Sequence, residues 1–440
     1  MLRLLTLVAV AAAVAACGKA PAPTSPRVSG PIAQGAYVWQ RAWTDGVVGA
    51  VREHGGAFDE LVVLGAEAAW DGKRLLVARV AWDPAAVRAS GAARVGLALR
   101  LGALDERGYV FAAAELPGLV RELLAAAERD GVAVAEVQLD HDAASSKLDA
   151  YRALLDAVRP AAGAVPLTFT ALPDWLSRPA FPALAAAAMA PYVLQVHSVE
   201  KPTSPERVPP LCDPAKARRW LEAAAALGHP FRLALPTYGY RLHFDADGRF
   251  AALSAEDPSA ATRPADTASV VALRADASAL SAFVADLLRD RPPELAGLLW
   301  YRLPVPADAL AWRWPTLAAV MAGRPVAASL RAVATSPEPG LYDVFVENAG
   351  LSDAAPPEKV RAACPGGPPV AYDTGGAYAT AVAAGAGDDA VLFVRARDVG
   401  TVTVAAGERA PVGWIRCAPS TASASTAPSA APEVTVDIPH

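Results

Sequence analysis

From residue 36 to about residue 323, short apolar runs alternate with longer stretches whose apolar residues recur three and four positions apart. The runs at 36–39, 60–67, 94–101, 132–142, 167–172, 192–198, 231–238 and 297–303 have strand length. The stretches at 45–54, 116–130, 145–158, 181–190, 214–227, 276–289 and 315–322 have the period of one-sided helices. Strand and helix in alternation predict a parallel sheet covered by helices, and eight such units predict an α/β fold of the (β/α)8 TIM-barrel type. An added hairpin at 74–82 follows the second strand, and 240–273 forms a long insertion after the seventh. Insertions that follow strands fall on the face of such barrels that carries function.

Beyond residue 323 the helical period stops. Short alternating runs at 331–334, 342–347, 360–363, 370–372, 378–382, 390–397, 401–405 and 413–417 are separated by Gly, Pro and Asp. That spacing predicts a small all-β sandwich over 324–418. Residues 419–440, mostly Ser, Thr, Ala and Pro, have the composition of a disordered tail.

A strand sends alternate side chains to opposite faces, so a barrel strand has one helix-facing set and one lumen-facing set. Taking Val137 and Leu139 as helix-facing puts Glu136, Gln138, Asp140 and Asp142 in the lumen. The same parity sends Thr168, Thr170, Gln195, His197, Arg232, Ala234, Pro236 and Tyr238 inward. It also places Glu67, Arg100, Trp300 and Arg302 there. Unpaired charges are costly to bury, so Arg232 is expected to neutralise Glu136. Glu67, Asp140, Asp142, His197, Tyr238 and Trp300, nearer the strand ends, are expected to line the mouth.

Net charge is −5, with Lys and Arg spread along the chain, so no nucleic-acid partner is expected. At the N-terminus Arg3 precedes an apolar run too short to span a bilayer, which ends in Val14-Ala15-Ala16-Cys17. Small residues before a cysteine resemble the lipobox of bacterial lipoproteins. Residues 1–17 then form a signal peptide ending at a lipidated Cys17, 18–34 a Pro-rich tether, and 35–323 the barrel. An ordinary secretory signal is the other reading. The expected location is the bacterial cell envelope, with the protein held by lipid on the periplasmic side of a membrane or at the outer membrane. Of the four cysteines, Cys364 and Cys417 share one exported domain and are expected to form a disulfide, leaving Cys212 single.

Familiar catalytic motifs are scarce. There is no C-x-x-C pair, no H-x-x-x-H, no G-x-S-x-G and no H-E-x-x-H, and GAGDDA at 385–390 lies outside any strand-to-helix context and reads as a turn. No cofactor is expected, and no bound metal.

QLDHD, SSKLDAYRALLDAVR, LTFTALPDWL, YVLQVHS, LALPTYGY and GLLWYRLP, in that order, resemble a family of uncharacterised bacterial lipoproteins that carry a domain of unknown function. The likeness spans about 35–323, and ENAGLSDAAPPEKV resembles that family's C-terminal portion. The family has no established activity. More distantly, the strand-end motifs are similar to those of chitinase-like glycoside hydrolases of family eighteen, whose fourth strand ends in D-x-D-x-E. On that pattern Gln138 stands at the first Asp, Asp140 at the second and Asp142 at the acidic Glu. Pro236-Thr237-Tyr238-Gly239 resembles the P-x-Y-G of the seventh strand, and Trp300 the eighth-strand Trp that floors the sugar site. Gln138 departs from the pattern by lacking a carboxylate. Asp142 is one methylene short, and a displacement of that order costs ~100-fold in rate.

Two carboxylates at one strand end raise each other's pKa, which would keep one protonated as an acid. Asp142 is therefore the candidate general acid, with Asp140 or Glu67 as its partner. Gln138, Gln195, His197, Tyr238, Trp300, Trp39 and Arg302 are the candidate substrate contacts, the aromatic faces suiting pyranose rings. Each has a plainer reading as a helix cap, a hydrogen-bonded lumen residue or a core aromatic. Three functions stay open: glycan hydrolysis by Asp142, a non-catalytic glycan-binding or scaffold lipoprotein, and a metal-dependent deacetylase using Asp140, Asp142 and His197. The expected partners are a glycan or oligosaccharide and, through the N-terminal lipid, a membrane. Carboxylates opposed across an open cleft favour catalysis; a site closed by salt bridges favours the scaffold.

Overall fold

A computed structural model describes residues 26–198, 200–254, 267–365, 367–384, 389–396, 402–418 and 434–439. The signal peptide, Cys17 and Gly385 lie outside the described residues. Strands β1 (Ala33–Val38), β2 (Glu60–Trp70), β4 (Arg94–Leu101), β5 (Val134–His141), β6 (Leu167–Ala171), β7 (Tyr192–Gln195), β8 (Phe231–Pro236) and β12 (Leu295–Tyr301) pair in parallel, and a β1–β2 pairing closes them into a barrel. The hairpin strand β3 (Leu75–Arg79) runs antiparallel to β2. Three further strands, β9 (Gly239–Phe244), β10 (Phe250–Ser254) and β11 (Ser269–Arg274), form a separate sheet out of the long insertion.

Helices α1 (Asp45–His54), α2 (Pro84–Ala89), α3 (Glu106–Arg129), α4 (Leu148–Ala162), α5 (Phe181–Ala186), α6 (Pro214–Ala225), α7 (Ala277–Arg289) and α8 (Trp314–Met321) cover the barrel. Their apolar faces meet the odd residues of β5, Val137 and Leu139, in one continuous core. The sequence gives no sign of α2, which is short, capped by Asp83 and begun by a proline. Helix α3 begins ten residues before the expected 116, because Asp105 caps it and Pro117 sits inside it rather than at its start. Among the described residues, no helix is long and apolar enough to cross a membrane.

The register sets Gly96 beside Glu136 and Gly297 beside Arg232, and Glu60, Glu136 and Arg232 meet low in the lumen, while Tyr37, Val62, Ala98, Gln138, Ala234 and Leu299 also face inward. Gly96 leaves room for the low charges: a Cβ there would come within 3.2 Å of Glu136 Cγ and 3.5 Å of Glu60 Oε1. Arg232 donates to Glu136 Oε1 at 2.6 Å, as parity expected, and also to Glu60 Oε2 at 2.6 Å. The sequence reading missed Glu60. A bulge at Gly65 lets both Glu60 and Glu67 face inward although their numbers differ in parity. Burial, then repulsion from Glu136, pushes the Glu60 carboxyl up to about 7.

Strands β13 (Leu330–Glu338), β14 (Leu341–Asn348), β15 (Lys359–Ala363), β16 (Ala371–Thr374), β17 (Tyr378–Ala383), β18 (Ala390–Arg395), β19 (Arg409–Arg416) and β20 (Thr435–Asp437) make two four-stranded antiparallel sheets. Val344, Val346, Val360, Phe393 and Ile415 pack between them. Of the run expected as a strand at 401–405, the described residues 402–405 contribute only a bridge from Val404 to Ala354. The expected tail differs too: its strand β20 pairs with β15, and Asp437 lies 3.3 Å from Arg361. Cys364 and Cys417 form the expected disulfide, closing a loop of 53 residues, while Cys212 is free and buried. Loop-closure entropy puts such a cross-link at ~4 kcal/mol. Replacing both cysteines by serine should lower the urea midpoint of the sandwich and leave the barrel transition in place.

Candidate functional site

The barrel opens at the C-terminal ends of its strands into a cavity of ≈ 350 Å³. Asp140 and Asp142 are successive inward positions at the end of β5, separated by His141, which faces the helices and meets Tyr109 Oη at 2.9 Å. Asp140 is buried and fully partnered. It accepts from Thr170 Oγ1 at 2.7 Å, from Gln195 Nε2 at 3.0 Å and from Arg100 at 2.7 Å. Burial raises its pKa and the Arg100 guanidinium opposes the rise. Asp142, with its side chain 45% exposed, accepts from the other arm of the same guanidinium at 2.8 Å.

The pair of carboxylates thus shares one arginine. No basic residue is near them in sequence, but Arg100 stands opposite Asp140 in the β4–β5 register. Glu67, across the mouth, is likewise held, by a two-pronged contact from Arg41 at 2.6 and 2.7 Å. Arg41 lines the cavity, whereas Glu67 does not reach its wall.

Aromatic rings make up much of the remaining wall: Tyr37, Trp39, Tyr238, Tyr240 and Tyr301. Trp39 and Tyr301 meet edge to face at 5.4 Å between ring centres, as do Tyr37 and Trp39 at 5.3 Å. His197 stacks on Tyr301 and shares a hydrogen bond of 3.1 Å between its Nδ1 and Tyr238 Oη. Its Nε2 is buried without a hydrogen-bond partner. Burial pushes the imidazole down to about 4, so it is neutral at pH 7. Between pH 6.5 and 4 the unfolded chain takes up a proton that the folded imidazole refuses, so this group's contribution to stability falls with pH across that window. Urea midpoints should accordingly show His197→Gln gaining on the wild type as the pH is lowered from 7 to 4.5. A constant offset would contradict the burial assigned to His197.

Three of the candidate substrate contacts are elsewhere. Trp300 is fully buried on the helix side of β12, donates to Gln34 Oε1 at 2.9 Å and packs on Trp312. In the register it sits beside Ala36 and Leu235, both outward residues, so Tyr301 takes the inward place. Residues 297–301 are apolar on both faces, which hid this parity. Arg302 turns to Asp308 at 2.9 Å instead of entering the cavity. Gln138 lies under the site, accepting from Tyr37 Oη at 2.7 Å and donating to Glu136. Trp175 is buried against Tyr151 and Phe181. Gln195, His197, Tyr238 and Trp39 do line the cavity, and the sequence reading missed Tyr37, Arg41, Ser198 and Tyr240 there. Among the described residues, no group of three or more His, Cys, Asp and Glu side chains is arranged to hold a metal ion.

Fold and site together define a TIM-barrel protein with carboxylates and aromatic rings at the barrel mouth. Residues 109–306 match the family model described as Domain of unknown function (DUF3142), and residues 331–418 match Domain of unknown function (DUF8456). No curated protein matches the chain. Among solved structures it is similar to the Bacillus cereus spore cortex-lytic enzyme SleL, at 14% identity over 67% of this chain and 75% of that one, with a TM-score of 0.47. It is also similar to the GH18 chitinase ChiB of Flavobacterium johnsoniae, at 12% identity over 67% and 94%, with a TM-score of 0.44. A Cycas revoluta GH18 chitinase in complex with (GlcNAc)3 matches at 14% identity over 66% and 99%, with a TM-score of 0.43.

Proposed function

We propose that the chain is a lipid-anchored envelope protein whose barrel mouth binds a glycan and does not cleave it. One observation carries this reading: the three acidic residues assigned to chemistry are each held by an arginine, Asp140 and Asp142 by Arg100 and Glu67 by Arg41. A general acid for glycoside cleavage must be protonated near neutral pH, and an adjacent guanidinium favours the ionised carboxylate. Binding has no such requirement. Trp39 and the mouth tyrosines offer apolar faces to sugar C–H groups, and Gln195 and Ser198 offer hydrogen bonds to hydroxyls. The anchor rests on Val14-Ala15-Ala16-Cys17, and Cys17→Ser should abolish incorporation of labelled palmitate.

Hydrolysis with Asp142 as acid is the second reading, favoured by the exposure of that carboxylate to the cavity. Calorimetric titration with neutral oligosaccharides tests both readings. N-acetylglucosamine oligomers come first, because the strand-end motifs resemble those of family-eighteen enzymes. Saturable binding with no product is expected, and Asp142→Asn should bind within about threefold of the wild type. Turnover by the wild type that Asp142→Asn loses would overturn the binding-only reading.

A further inference from the structure

A second cavity, of ≈ 250 Å³, lies where the barrel insertion meets the sandwich, away from the mouth. Arg241 on β9, Arg274 on β11 and Arg313 before α8 line it from the barrel, with Arg409 and Thr403 from the sandwich; Glu408 is its acidic residue. Arg274 is held in place by Asp353 at 2.7 Å, by the Ala309 carbonyl at 3.0 Å and by Thr403 Oγ1 at 3.2 Å. Arg409 is held by Glu347 at 2.6 Å, a carboxylate that Arg331 also contacts. Arg313 Nε is buried and makes no hydrogen bond, although Glu408 Oε1 is 3.3 Å away. Among the described residues, Arg241 has no acidic partner at all. Four guanidinium groups line the cleft; Arg274 and Arg409 are paired with carboxylates outside its lining, Asp353 and Glu347, and Glu408 is the one acidic residue among the lining residues.

We propose that this interdomain cleft binds a small phosphate-bearing or sulfate-bearing polyanion. Guanidinium forks match tetrahedral oxyanions in shape as well as charge. Three of the four are positioned by neighbours in advance, so little side-chain entropy is lost on binding. The volume lies below the ~300–1,000 Å³ typical of drug-sized ligands, which suits an ion better than a glycan. An anion held there would contact the barrel and the sandwich at once.

Inorganic pyrophosphate titrated calorimetrically into the full chain tests the site. The wild type should bind it saturably, with affinity falling as salt rises. Arg241→Gln and Arg409→Gln should each weaken binding about tenfold, the loss of one charge-assisted contact. Arg219→Gln on α6 should bind as the wild type does. Both substituted arginines are surface-accessible, and Glu347 keeps Arg331 when Arg409 is replaced, so the folded state should survive. The site is overturned if the wild type shows no saturable binding, or if either cleft variant binds as tightly as the wild type.

Discussion

Replacing Arg232 with Met is expected to cost about 3–5 kcal/mol of barrel stability, the penalty for removing one partner of a buried ion pair. Met fills nearly the same volume, so the loss comes from charge. Arg232 is 8% exposed and is the close partner of two buried glutamates, Glu60 and Glu136, each 2.6 Å away. Arg94, the next nearest cation, lies 3.7 and 3.9 Å from them and reaches in from the solvent. The deficit should depend on pH. Glu60 titrates near 7 in the fold against an ordinary 4.5, so the folded state holds a proton across that window that the unfolded chain releases. Stability from this group therefore rises as pH falls from 7 towards 4.5. Without Arg232, which opposes the rise, Glu60 protonates more readily still, so the variant should trail the wild type most at pH 8 and less at pH 5. Urea melts at the two values give the comparison. Combining Arg232→Met with Glu60→Gln and Glu136→Gln should recover much of the loss, since a neutral cluster has no charge to desolvate. Equal deficits at pH 5 and pH 8 would place the loss in packing instead.

This charge cluster also marks how far the chain can be read without coordinates. Strand β5 was legible because its two faces differ in kind: Val137 and Leu139 against Glu136, Gln138 and Asp140. A one-residue error there would have buried these three polar groups against helices, so parity had a physical anchor. In β12 the stretch Gly297 to Tyr301 carries no such contrast, and the expectation for Trp300 failed where the apolar pattern stopped discriminating. The bulge at Gly65 is illegible for a different reason. It is a backbone event that changes parity halfway along a strand, which is why Glu67 was found and Glu60 was not.

Cross-strand partners are the other gap. Arg100 and Asp140 are 40 positions apart, and only the β4–β5 register makes them neighbours. Arg41 follows β1 and reaches Glu67 on the adjacent strand, a contact that requires the barrel to be closed. The candidate acids were thus visible along the chain, while the cations that decide their state were visible only across it. That difference moves the reading from hydrolysis towards binding.

Arg100→Gln is the substitution that separates those two readings most sharply. Arg100 is one-third exposed, so solvent screens part of its interaction, and the expected stability cost is smaller than for Arg232, about 1–2 kcal/mol. Asp140 keeps its bonds from Thr170 and Gln195, which should hold it in place. Asp142 keeps no partner in the described structure and is released into the cavity beside a second carboxylate. Burial already raises the Asp140 pKa and Arg100 opposes that rise, so the rise should grow when the guanidinium is removed. If the mouth only binds glycan, the variant loses affinity by about tenfold, because the polar wall between Gln195 and Trp39 is no longer held in one arrangement. No product forms. If Asp142 is instead an acid restrained by Arg100, the same change frees a protonatable carboxyl and turnover rises, with a maximum below pH 7. Product formation by Arg100→Gln that disappears in Arg100→Gln/Asp142→Asn would sink the binding-only reading and identify Asp142 as the proton donor.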